Sequence, residues 1–226
     1  MFGHFADEDE RHARFLKKTG STQLMKSWRQ DRYNIIFVAV PRTASTSISS
    51  FNAGHGRISG RNHASLSQYK EVLSQEDFER RFKFGFVRNP WDRPLSLYFN
   101  RQARHKLNSF EEFVHHHVAA SDCCSNPTYH HYQLDWFRCK QTGEILADFI
   151  GKFENIKQDF KHCINTINPS LKNVKLPYLN PPAGGKKGRG KVGPLRKHYR
   201  EYYTKETQKI IHERFLEDIE YFNYEF

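Results

Sequence analysis

Cysteine and methionine are scarce in this 226-residue chain, with four and two copies. Cys123 and Cys124 are adjacent, Cys139 and Cys163 stand apart, and no Cys-x-x-Cys pair occurs. Adjacent cysteines suit a simple disulfide poorly, so reduced thiols in a cytoplasmic protein are expected. A chain of this length buries roughly 70% of its unfolded surface and needs neither metal nor disulfide to hold it together. Also missing are a run of 18 apolar residues and a secretory h-region. With Met1 as the start, the expectation is a cytoplasmic protein without a transmembrane anchor. No internal repeat and no domain linker is visible, so residues 1–226 read as one domain. It has a polar, helix-prone lead-in at 1–33 and a Gly/Lys-rich loop at 177–194. Acidic residues are the minority, 25 against 36 Lys and Arg, for a net charge of +11. The excess favours anionic partners: a nucleotide, an acidic glycan, nucleic acid or a membrane surface. No recognised nucleic-acid module accompanies it.

What is present alternates. Asn34–Val40, NIIFVAV, is a continuous apolar run of the kind found in strands buried on both faces. FKFGFV at 82–87 reads as a second strand and Leu146–Phe153 as a third. Helical pattern follows each: a short helix around Ile48, a longer one from Trp91 to about Arg104, and one carrying Ile156, Phe160, Cys163, Ile164 and Ile167. Ser74 with Asp77 resembles an N-cap pair, and Ser109 with Glu112 a capping box. Thr204 caps a last helix with Ile211, Phe215 and Ile219 along one face. The alternation predicts an α/β fold: three layers, α/β/α, around a central, mostly parallel sheet.

Two strand ends carry the chemistry. The first strand runs into Pro41-Arg42-Thr43-Ala44-Ser45-Thr46-Ser47 and then a helix. Small residues let an anion approach the backbone, hydroxyls on Thr43, Ser45, Thr46 and Ser47 add donors, and Arg42 adds a permanent charge with a donor fork. The plain alternative is a Ser/Thr-capped helix after a strand. The Gly-x-x-x-x-Gly-Lys-Ser/Thr loop is absent, which argues against a Walker-type nucleotide hydrolase. The second strand ends in Arg88-Asn89-Pro90, with Pro at a favoured helix-start position. Arg88 then sits at the carboxyl edge of the sheet, where open α/β sheets bind ligands. Ser96 lies two helical turns on. Arg88 is also four residues before Asp92, a spacing that equally suits a structural ion pair.

VPRTASTS after a strand and FGFVRNPWDRPLSLY some forty residues later resemble the two loops that bind 3′-phosphoadenosine 5′-phosphosulfate (PAPS) in sulfotransferases. The likeness is to the carbohydrate branch, the heparan 2-O-sulfotransferase-like enzymes and their small bacterial relatives. DFIGKFENIKQDF at 148–160 and the closing YYTKETQKIIHERFLEDIEYFNYEF extend it over most of the chain from Asn34 onward. The resemblance implies a fold related to P-loop nucleotide kinases, with PAPS as donor and 3′-phosphoadenosine 5′-phosphate (PAP) as product. It implies that Arg42, Thr43, Ala44, Ser45, Thr46 and Ser47 hold the 5′-phosphosulfate, and that Arg88 and Ser96 hold the 3′-phosphate. Arg42 stands where this family usually carries Lys. An arginine is effectively never deprotonated, so it stabilises charge without acting as a general acid.

The acceptor hydroxyl needs a base. His63 is the candidate, because related enzymes place a catalytic His between the two loops and imidazole titrates near neutrality. His55, Glu111 and Asp135 compete with it. The consecutive His115, His116 and His117 point around a helix and make a poor metal site. No metal is expected, since protein cations can take the charge. Tyr129–Gln133 either lines an acceptor cleft or serves packing. Lys186, Lys187 and Arg189, among four glycines, form either a lid over the donor or a solvated loop. The expected partner is a hydroxyl-bearing acceptor, an anionic carbohydrate by the chain's charge. The competing functions are a phosphotransferase on the same fold and an inactive protein that binds PAP or sulfated glycan.

Overall fold

A computed structural model describes residues 34–49, 63–105, 108–119, 132–169, 176 and 197–226. Three strands, β1 (Ile35–Val38), β2 (Phe82–Val87) and β3 (Phe149–Lys152), form a parallel sheet in the order β1-β2-β3. Register pairs Phe37 with Phe84 and Val38 with Gly85, then Phe86 with Gly151 and Val87 with Lys152. The third strand is shorter than the 146–153 expected: Leu146 N–H donates to Phe137 O at 2.8 Å, and pairing with β2 starts only at Phe149.

Alternation across the pleat sends side chains to two separate cores. On one face Ile35, Phe37, Phe84 and Phe86 pack with Ile48, Phe160, Cys163 and Ile164. On the other, Ile36, Val38 and Val87 pack with Leu66, Trp91, Leu95, Phe137 and Ile211. The sheet is therefore flanked by helices on both faces. The helices of the first face are α1 (Ser45–Ser49), which supplies Ile48, and α6 (Ile156–Ile167). The second face is covered by α2 (Leu66–Val72), α4 (Asp92–His105) and α7 (Lys205–Arg214). Close approach fixes two glycines. A Cβ on Gly85 would stand 2.6 Å from the Phe137 ring and 2.9 Å from Val38 O, and one on Gly151 would stand 2.6 Å from the Phe86 ring.

The predicted caps form where their side chains can reach. Ser65 and Gln68 make a reciprocal box at the start of α2. Ser74 accepts from Asp77 N ahead of α3 (Gln75–Glu79). Ser109 accepts from Glu112 N before α5 (Phe110–Phe113). That last box is not reciprocal, because Glu112 Oε2 takes Asn108 N–H instead. The closing helix is divided. α7 ends at Arg214, Phe215 leaves helical geometry with φ −120° and ψ 29°, and α8 (Leu216–Tyr221) follows. Phe215 is buried there, and its backbone bend lets both Ile211 and Ile219 reach one core. Cys139 and Cys163 are buried free thiols. Among the described residues no helix is long and apolar enough to cross a membrane.

Candidate active site

The carboxyl edge of the sheet carries both candidate loops. β1 hands over to a turn at Pro41–Ala44 before α1. In this turn Arg42 has φ +70° and Ala44 φ +60°. Neither is a glycine or an asparagine, so both take up steric strain that L-residues normally avoid. His63, φ +47°, is a third described residue of this kind, of a type that enters the region more readily, as do the asparagines Asn34 and Asn223. Strain of this kind persists only where surroundings over-determine it, and it concentrates at functional sites. Among the described residues Arg42 and Ala44 both follow the end of β1. Thr43 is fully buried and its hydroxyl donates to Val40 O at 2.9 Å, closing the turn from within. Ser47 is buried, whereas Ser45 is half-buried and Thr46 exposed.

The two loops touch. Arg42 Nε and Nη2 donate to Ser96 Oγ at 3.2 and 3.0 Å, and Arg88 Nη1 donates to Arg42 O at 3.1 Å. The ion pair allowed by spacing also forms: Arg88 Nε and Nη2 lie 2.7 and 2.6 Å from Asp92 Oδ2. The Arg88 guanidinium sits over the Phe153 ring, 4.1 Å from its centroid. Charge, ring and carboxylate thus hold a buried guanidinium in one plane.

His63 lies beside the first loop. Its Nδ1 is 2.6 Å from Ala39 O, just past the end of β1. A carbonyl oxygen can only accept, so Nδ1 carries the proton. In the neutral ring the lone pair is then on Nε2. Trp136 Nε1 donates to His63 O at 3.2 Å and fixes the backbone that carries the ring. The imidazole itself is exposed. Of its rivals, Asp135 is paired with Arg138, Glu111 is exposed on α5, and His55 lies outside the described residues. Lys186, Lys187 and Arg189 also lie outside them, as do Tyr129, His130 and His131. Among the described residues no cluster of His, Cys, Asp and Glu could hold a metal ion.

Several residues at this edge carry no motif signal. Glu154 accepts Asn89 N–H at 2.7 Å and Tyr224 O–H at 3.0 Å. That burial and that carboxylate push the Tyr224 phenol up. Asn89 Oδ1 accepts Trp91 N–H at 2.9 Å, a local turn around Pro90, and Asn89 Nδ2 donates to Glu225 O at 3.0 Å. Tyr203 O–H donates to Trp91 O at 2.6 Å, and Trp91 Nε1 donates to Gln208 O at 3.2 Å. The Gln133 carboxamide and the Asp218 carboxyl complete the set. Asn89, inside a recognised loop, was within reach of sequence reasoning. Glu154 lay in a matching segment without a role attached to it. Gln133 stood in the stretch read as acceptor cleft or packing, and Asp218 had no signal; side chain–backbone pairing across 45 and 85 residues leaves no spacing rule to read.

Comparison with known proteins agrees with the loops. The sequence profile described as the Sulfotransferase family matches residues 25–225. Neither the curated proteins nor the solved structures return a match.

Proposed function

Because the chain belongs to the sulfotransferase family, and membership implies PAPS-dependent sulfuryl transfer, we propose that it sulfates a hydroxyl of an anionic carbohydrate with the residues at this sheet edge. The observation that carries the site assignment is the junction of the loops, Arg42 on Ser96 and Arg88 on Arg42 O. It gathers two guanidinium groups and a hydroxyl at one strand edge, a donor set whose chemistry suits a nucleotide with phosphates at two positions. Arg42, Ala44, Ser45, Thr46 and Ser47 would hold the 5′-phosphosulfate, with Thr43 closing the turn beneath them, and Arg88 and Ser96 the 3′-phosphate. Lys186, Lys187 and Arg189 would cover the donor.

When bound, the donor supplies the sulfuryl group and departs as PAP. The chain's own residues do the rest. His63 Nε2, the ring nitrogen not engaged by Ala39 O, would take the proton of the acceptor hydroxyl. Arg42 offsets negative charge that grows on the leaving phosphate but cannot give it a proton. Thr43 spends its own proton on Val40 O, so its part is to shape the turn. The net charge of +11 supports an anionic acceptor by attraction before contact.

Calorimetric titration with PAP, ADP and AMP tests the donor site. Binding of PAP well above both controls is the expected result; equal binding overturns the assignment of Arg88 and Ser96. Labelled PAPS with a panel of glycans, phenols and peptides then tests the acceptor class. Transfer to sulfated or carboxylated glycans supports it. PAP binding with no transfer to any of them favours a protein that binds without catalysis.

A further inference from the structure

Arg88 is placed by a residue that lies in neither loop. The last registered pair of β2 and β3 is Val87 with Lys152, so Arg88 stands one residue beyond the ladder. Past the ladder its buried peptide groups depend on partners other than a neighbouring strand. The side chain of Gln133 takes the place of the missing strand. Gln133 Oε1 accepts Arg88 N–H at 2.8 Å, and Gln133 Nε2 donates to Arg88 O at 2.8 Å. Both groups of one residue are bracketed by a single carboxamide, itself fully buried. No other side chain fits both duties: glutamate has no proton for the carbonyl, and asparagine is one carbon short.

Gln133 is braced in turn. It opens a 3-10 turn, Gln133–Trp136. The first two N–H groups of that turn donate to one carboxyl, Gln133 N to Asp218 Oδ2 at 2.7 Å and Leu134 N to Asp218 Oδ1 at 3.0 Å. Asp218 lies on α8 and is fully buried. A chain of direct bonds therefore runs from the closing helix, through the turn, to the backbone of Arg88. Its effect falls on the backbone, whereas Asp92 and Phe153 hold the guanidinium. With both ends fixed, the arginine has one direction in which to point.

We propose that Gln133 and Asp218 are positioning residues for Arg88, and that they set the preference of the donor site for a nucleotide bearing a 3′-phosphate. The proposal rests on the assignment of Arg88 to that phosphate. The test is the ratio of PAP to ADP affinity, measured by calorimetry on wild type, Gln133→Met, Gln133→Glu and Asp218→Asn. Phe160→Leu, in the opposite core, serves as a destabilised control. Gln133→Met is expected to lower the ratio at least tenfold while ADP still binds. Gln133→Glu keeps the acceptor for Arg88 N–H, loses the donor to Arg88 O, and is expected to fall in between. Asp218→Asn, which keeps one of the two acceptors on the turn, is expected to lower the ratio less than Gln133→Met. Phe160→Leu should lower the melting temperature and leave the ratio alone. A ratio unchanged in both Gln133 variants, or lowered as much by Phe160→Leu, overturns the positioning role while the donor assignment stands. No PAP preference in wild type overturns both.

Discussion

The two loops at the sheet edge are built on opposite plans. The first, at 41–47, is strained in its backbone: Arg42 and Ala44 carry left-handed geometry without glycine's freedom, and Thr43 closes the turn three residues back. The second, at 88–92, is relaxed in its backbone and held from far away, by Gln133, Glu154, Tyr203 and Glu225. A strained loop keeps its shape because the neighbourhood forbids others, and relief of the strain costs function before stability. A braced loop keeps its shape through partners, and loss of one costs stability and function together. The contact between them, Arg88 Nη1 on Arg42 O, makes the braced loop a support for the strained one.

This contrast can be broken at several points. The largest effect is expected at His63, whose left-handed backbone belongs to the strained side. His63→Ala should cut turnover by roughly two to four orders of magnitude with PAP affinity little changed. Near-normal turnover removes it as the base.

On the braced side, burial pushes the Asp218 carboxyl up to about 6 against the two N–H bonds and Arg93, which pull it down. A raised carboxyl contributes stability that is complete below the ordinary range and is lost as pH rises through the folded value. Wild type should therefore lose about 2 kcal/mol relative to Asp218→Asn between pH 4 and 7. Chemical denaturation across that range measures it, and parallel profiles for the two proteins would refute it.

Arg88→Ala should weaken PAP roughly ten- to a hundredfold more than ADP. A calorimetric comparison decides, and equal losses would leave Arg88 as a brace alone. The smallest effect is expected from Ala44→Gly, which admits φ +60° without strain. It should raise stability by up to about 1 kcal/mol and lower turnover. A loss of stability would mean that Ala44 is not strained in the way its backbone indicates.

Much of this was legible in the sequence, and the reasons are local. β1 and β2 are unbroken apolar runs, and burial on both faces demands that pattern. The N-caps at Ser74 and Thr204 follow a three-residue rule that depends on nothing distant. Arg42, Arg88 and Ser96 stood out through loop spacing, and Arg42 and Ser96 do meet. The overrun of β3 has a physical cause: Leu146 and Ala147 are apolar enough for a strand, yet Leu146 N–H turns to Phe137 O, whereas Asp148 N–H already bonds to β2 at Lys83 O. The break at Phe215 is invisible in periodicity because the apolar face continues through it. Gln133 looked like part of an aromatic, His-rich stretch. Nothing about a lone glutamine announces that its amide completes a strand 45 residues away.

Glu225 and Asn89 are joined across 136 positions. During synthesis, the second loop emerges from the ribosome well before the residues that pin it. The three strands emerge earlier, while α7 and that half of the edge still wait for the closing segment. Order of translation thus makes the closing segment finish the core and the site together.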